Sequence, residues 1–181
     1  YGTYSLTNLR VFIENYLKRI NIPYSRTEKY QLNFLPFLDV IKYNKDIQKQ
    51  KNFYESLNQI ISEIPAKDSI TYEMMLLKSL KGLTESEISY LSTRTDYSLN
   101  TTWSNIDYME IRDKQMADNL KWLLKHKFPN EKIIVWAHNI HILKNPELIN
   151  ADYILPKNMG SYIAKDQKLN NQAYFLGFNS R

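Results

Sequence analysis

The sequence contains no cysteine and, in 181 residues, only four glycines and six prolines. Without Cys there is no disulfide, no thiolate-bound zinc and no cysteine nucleophile, and the redox compartment is left undetermined. Gly2, Gly82, Gly160 and Gly177 stand far apart, so no GxGxxG, Walker loop or GxSxG elbow can be assembled. No apolar run approaches the ~20 residues that span a bilayer, so no membrane span is expected. Arginine is scarce too: of 24 basic residues six are Arg and eighteen Lys, against 19 acids and a net charge of +5. Nucleic-acid readers depend on arginine forks and clustered patches. These lysines are scattered among acids, and nucleic acid is not expected as a partner.

What remains suits a globular chain, 43% hydrophobic and 24% charged, long enough for a domain that buries about 70% of its unfolded surface. Most of it has helical periodicity. Leu9, Phe12, Ile13, Tyr16, Leu17 and Ile20 form a 3.6-residue stripe that Asn21-Ile-Pro23 stops. Pro36 suits the first turn of a short helix in the stretch 34–43. Ile47, Phe53, Leu57, Ile60, Ile61 and Ile64 repeat the stripe, with Pro65 beyond. Ile70 to Leu80 predicts a helix with Gly82 as its C′ residue, and Thr84-Glu-Ser-Glu87 has the capping-box form of a new helix start. Residues 94–103 read as a loop; its sequon Asn100-Thr-Thr102 matters only in a eukaryotic secreted protein. A long helix is expected from about Ser104 to Lys127, closing on cations that favour its C-terminal dipole.

After Pro129 the character changes. Lys132-Ile-Ile-Val-Trp-Ala137 is a short, continuous apolar run rich in β-branched residues, and Ala173-Tyr-Phe-Leu-Gly-Phe178 resembles it. Both predict buried parallel strands, with Tyr153-Ile-Leu155 as a shorter candidate. The fold expected is therefore mixed α/β and predominantly helical. Short parallel strands at about 132–137 and 173–178 would pack under a long helix, joined to a helical subdomain. Residues 1–100 would form the helical subdomain and 101–181 the C-terminal part of an α/β hydrolytic domain.

The segment richest in chemistry is Trp136-Ala-His-Asn-Ile-His141. His138 and His141 are placed just beyond the C-terminal end of the expected strand, where ligands gather in open α/β sheets. Imidazoles there can act as bases, oxyanion partners or metal ligands, or simply tie a turn by hydrogen bonds. No HExxH or EF-hand pattern supplies the carboxylates that would complete a metal site, so neither metal nor cofactor is assigned. His126, among lysines, reads as a solvated surface residue. On the long helix, Arg112, Met116 and Asn119 share a face at i, i+4 and i+7. An Arg partly buried there needs a carboxylate or a ligand: a salt bridge and an active-site role both satisfy it. Asp113 reads as a supporting or surface acid.

Arg112-Asp113, Met116-Ala117 and Asn119, followed by Ile133-Ile-Val-Trp-Ala-His-Asn-Ile-His141, Met159-Gly160 and Tyr174-Phe-Leu-Gly-Phe178, resemble the C-terminal half of the erythromycin esterase family. The resemblance rests on about 75 residues, from about 105 to 179. It implies a metal-independent hydrolase acting on an ester, with a macrolactone as candidate, in which a histidine activates water while other histidines, acids and an Arg position water and substrate. His138 and His141 match the family's paired active-site histidines, and Arg112 the Arg of its helix motif. The family's principal base lies in an N-terminal Gly-Glu-x-x-His-Gly motif, and none of the four glycines here is near a His. The chain, which begins at Tyr1, is thus expected to be the C-terminal portion of a longer enzyme. Alone it would be inactive, and its partners would be a small-molecule substrate and the N-terminal part of the same protein. The alternative is a non-catalytic ligand-binding or interaction module on the same scaffold. The cytoplasm is favoured as compartment, with secretion left open.

Overall fold

A computed structural model describes residues 6–39, 45–94, 106–148 and 155–177. The chain divides into two compact units, Tyr1–Ser92 and Thr93–Arg181. Among the described residues every regular element is a helix, and no helix is long and apolar enough to cross a membrane.

The first unit is a helical assembly around a single core. α1 (Leu6–Arg19) ends as its sequence requires. Asn21 takes φ 58°, its N–H bonds the Lys18 carbonyl, and the Ile22 N–H reaches back to Leu17. This is a Schellman closure with Asn in the left-handed position, and Pro23 forbids continuation. A π-helical turn, Tyr30–Phe34, runs into α2 (Leu35–Leu38). Pro36 has no N–H and crowds the carbonyl four residues back, and the wider turn, closed by Leu35 N–H on Tyr30 O, accommodates it. α3 (Ile47–Glu63) starts on Asp46, whose carboxylate accepts from the Gln48 and Lys49 N–H groups. Phe53 projects from α3 between Phe34 and Phe37, with ring centroids 5.2 and 4.6 Å away. Tyr30 stacks on Phe34 at 5.1 Å, and burial pushes its hydroxyl up to about 12.

α4 (Tyr72–Arg94) is a single helix of 23 residues. The break expected at Gly82 and the helix start expected at Thr84 do not occur. Thr84 is fully buried, and its hydroxyl donates to the Leu80 carbonyl one turn back instead of capping a new helix.

In the second unit α5 (Ile106–Trp122) continues into a π-helical turn, Leu123–Lys127, with Lys125, His126 and Lys127 in its last turn. α6 (Asn139–Ile142), α7 (Met159–Ala164) and α8 (Gln167–Asn170) are short. Ala117, Met159 and Ile163 are buried together, with Met116, Leu120, Ile142 and Phe175 packed against them.

The mixed α/β expectation is overturned. Residues 132–138 and 173–177 belong to no helix and no strand, and neither run is buried: Ile134 is 90% exposed, Trp136 84%, Tyr174 97% and Leu176 70%. β-Branched and aromatic residues favour an extended backbone, but a strand exists only when a neighbour supplies ladder hydrogen bonds. The described residues offer none. The expected loop at 94–103, its sequon, and Tyr153 and Ile154 of the third strand candidate lie essentially outside the described residues.

Candidate active site

The site is built where α5, α6 and α7 meet. The inward face of α5 is centred on Asp113 and Ala117, both buried, and not on Arg112, whose side chain flanks that face and is 41% exposed. Asp113 is only 3% exposed. A carboxylate so far from water is strongly disfavoured unless hydrogen-bonded and paired. Its Oδ2 accepts from His141 Nδ1 at 2.8 Å and from the Met159 N–H at 3.3 Å. Its Oδ1 faces Arg112 Nε at 3.6 Å, beyond hydrogen-bond length, and both of these atoms are buried without a hydrogen-bond partner among the described residues. Arg112 Nη2 reaches His141 Nε2 at 3.3 Å.

Gly160 allows this convergence. A Cβ there would lie 2.4 Å from the carbonyl carbon of Ile142, 2.5 Å from its oxygen and 2.7 Å from the Leu143 oxygen. Only glycine lets the start of α7 press against the end of α6, and that approach brings Met159 N–H and His141 to the same carboxylate oxygen. Asn158 fixes the start of α7. Its Oδ1 accepts from Ser161 N–H at 2.9 Å, while Ser161 Oγ accepts from Asn158 N–H at 3.1 Å. This is a capping box with Asn and Ser in the reciprocal roles.

One turn before Asp113, Glu110 Oε1 accepts from Tyr162 Oη at 2.7 Å and Lys157 Nζ at 3.3 Å. Burial pushes the Glu110 carboxyl up, but the bonds from Tyr162 and Lys157 outweigh it and hold the group below its ordinary value. Burial, then the bond to Glu110, raises the Tyr162 hydroxyl.

Of the residues expected from sequence, Arg112 and His141 are brought together. His138 is exposed and caps α6, its Nδ1 accepting from Ile140 N–H at 3.3 Å; it makes no hydrogen bond to Arg112, Asp113 or His141 side chains. His126 is exposed, its ring 5.9 Å from that of Trp122. No group of three or more His, Asp or Glu residues able to hold a metal is found among the described residues.

The sequence model of the family described as Erythromycin esterase matches residues 15–181. The chain belongs to the erythromycin esterase family. It is 29% identical over 140 residues to "Putative hydrolase YbfO" of Bacillus subtilis (strain 168), a match covering 75% of this chain and 31% of that protein. It is also 50% identical over 40 residues to "Erythromycin esterase type II" of Escherichia coli, 22% of this chain and 10% of that protein. The chain thus spans about a third or less of the curated relatives it matches. No solved structure matches it.

Within this member of the family, sequence reasoning undervalued Asp113 and missed Glu110, Tyr162, Lys157 and the Met159 N–H. A signal existed for the first two: Glu110, Asp113 and Ala117 recur at i, i+3 and i+7, a helical face whose two acids interrupt an otherwise apolar stripe. Nothing in sequence spacing announces Tyr162 or Lys157, which reach Glu110 from 52 and 47 residues away.

Proposed function

We propose that this chain supplies the Arg112, His141 and His138 portion of a hydrolase site that acts on an ester, with a macrolactone as the candidate substrate, by histidine-assisted attack of water. The observation that carries the reading is the convergence of two separated sequence blocks. His141, last residue of Trp-Ala-His-Asn-Ile-His, is hydrogen-bonded to both members of the Arg112-Asp113 pair 28 and 29 residues upstream. A guanidinium held this way suits an oxyanion that develops as water adds to a carbonyl. His138, whose Nδ1 is occupied by the Ile140 N–H, has its Nε2 left to donate a hydrogen bond to substrate or water.

Neither role supplies a base. The 181 residues contain no Gly-Glu-x-x-His-Gly sequence, so this polypeptide alone does not activate water. Assayed with p-nitrophenyl acetate and with a 14-membered macrolactone, the purified chain is expected to give no turnover above background. A polypeptide joining it to a segment that bears the motif is expected to turn over, and Arg112→Ala should lower its kcat/KM about 10²–10³-fold, the usual loss for an oxyanion donor. Turnover by the chain alone, abolished by His138→Ala, overturns the incompleteness. An active joined polypeptide indifferent to Arg112→Ala overturns the site.

A further inference from the structure

We propose that Asp113 is the positioning residue of this site and that His141 is a brace, not a base: Asp113 fixes the His141 tautomer, and His141 in turn holds the Arg112 guanidinium. The inference rests on reading the cluster as a hydrolase site. Arginine has only donors, so at the 3.3 Å contact between Arg112 Nη2 and His141 Nε2 the ring nitrogen must accept. The ring proton then resides on Nδ1, where Asp113 Oδ2 accepts it at 2.8 Å. Which imidazole nitrogen carries the proton is set by what the other one meets, and here both neighbours impose the same answer. With its lone pair engaged by Arg112, His141 cannot take a proton from water while that contact stands.

The carboxylate is spent unevenly. Oδ2 serves both His141 and the Met159 N–H, while Oδ1, buried and unbonded, is turned to the equally buried and unbonded Arg112 Nε at 3.6 Å. Asp113 closes a triangle: one oxygen bonded to the imidazole, the other facing the guanidinium across 3.6 Å, and the imidazole in contact with the guanidinium.

The test is the tautomer of His141, read from two-bond proton–nitrogen correlations of the ¹⁵N-labelled 181-residue chain at a pH where the ring is neutral, with His141→Gln assigning the signals. The wild type is expected to show its protonated nitrogen at Nδ1. Asp113→Ala is expected to move the proton to Nε2, with loss of the Arg112 contact, and Asp113→Asn, whose amide oxygen can still accept, to restore Nδ1–H. A wild-type ring protonated at Nε2, or an Asp113→Ala ring unchanged at Nδ1, overturns the proposal. The wild-type spectrum needs no variant, so it decides even if Asp113→Ala does not fold. No ester enters the measurement: an Nδ1–H ring in the 181-residue chain, together with no turnover by the polypeptide that joins it to the motif-bearing segment, would refute the hydrolase reading and leave the brace standing.

Discussion

Gly160 holds the site together by having no side chain. The atoms a Cβ would strike at 2.4–2.7 Å are backbone atoms of Ile142 and Leu143, which cannot swing aside as the tip of a long side chain can. Gly160→Ala must therefore push α7 off α6, and the first bonds to lengthen are those that converge on Asp113. The expected cost is about 1–3 kcal/mol, the range for a group forced into packed surroundings, read by urea denaturation. Gly177, with nothing within 4 Å of its would-be Cβ, provides the control: Gly177→Ala should stay within about 0.5 kcal/mol of wild type. Equal effects at the two positions would show that the α6–α7 approach does not matter. Residues 159–160 thus serve the site through two different atoms, an N–H at Met159 and an absent Cβ at Gly160.

Between elements, the bond from Tyr162 to Glu110 ties α7 to α5 and carries a pH signature. Glu110 titrates below its ordinary 4.5 in the folded chain, so the unfolded chain binds its proton first. A depressed carboxyl contributes stability that is complete above about pH 4.5 and is lost as pH falls through the folded value. Thermal melts of the second unit should therefore weaken with acid in that window, and Glu110→Gln or Tyr162→Phe should lower stability near neutrality and flatten the acid slope. An unchanged slope in both variants would refute the assignment. At this scale much could be read in the sequence, because helix rules are local. The apolar stripes of α1 and α3, the stop at Asn21-Ile-Pro23 and the cationic end of the α5 segment follow from neighbours within a few residues. Thr84 was misleading for an equally local reason: its hydroxyl can cap a helix or bond back to Leu80, and burial within α4 selects the second. The runs 132–137 and 173–178 are different, since a strand is a relation between distant segments, and extended propensity at Ile133, Ile134 and Val135 does not create the neighbour. The site divides the same way. Arg112 and His141 were visible as residue types in a pattern, whereas the centrality of Asp113 depends on α6 and α7 arriving beside it.

For the whole molecule, the two units are unequal in what they bury. Among the described residues, sixteen buried hydrophobics from Ile13 to Leu80 make one cluster in the first unit, with Phe34, Leu38, Phe53, Leu57, Ile60 and Leu77 fully enclosed. Among its described residues the second unit encloses three, Ala117, Met159 and Ile163, and leaves Ile134, Trp136, Tyr174 and Leu176 largely in water. Buried apolar area is the main term favouring folding, at about 25 cal/mol per Å², and the opposing chain entropy is similar per residue in both units. The first unit should therefore be the more stable, and the melt of the chain should resolve into two steps, the lower belonging to residues 93–181. A polypeptide of residues 1–92 is expected to keep its helical circular dichroism and melt cooperatively near the upper step. Hydrogen exchange supplies the local reading: amides in α3 should be the best protected, while Ile134 and Leu176, outside any helix or ladder, should exchange close to the rate of an unstructured chain. A single cooperative transition, with 1–92 unfolded on its own, would mean that the stability of the first unit depends on the second.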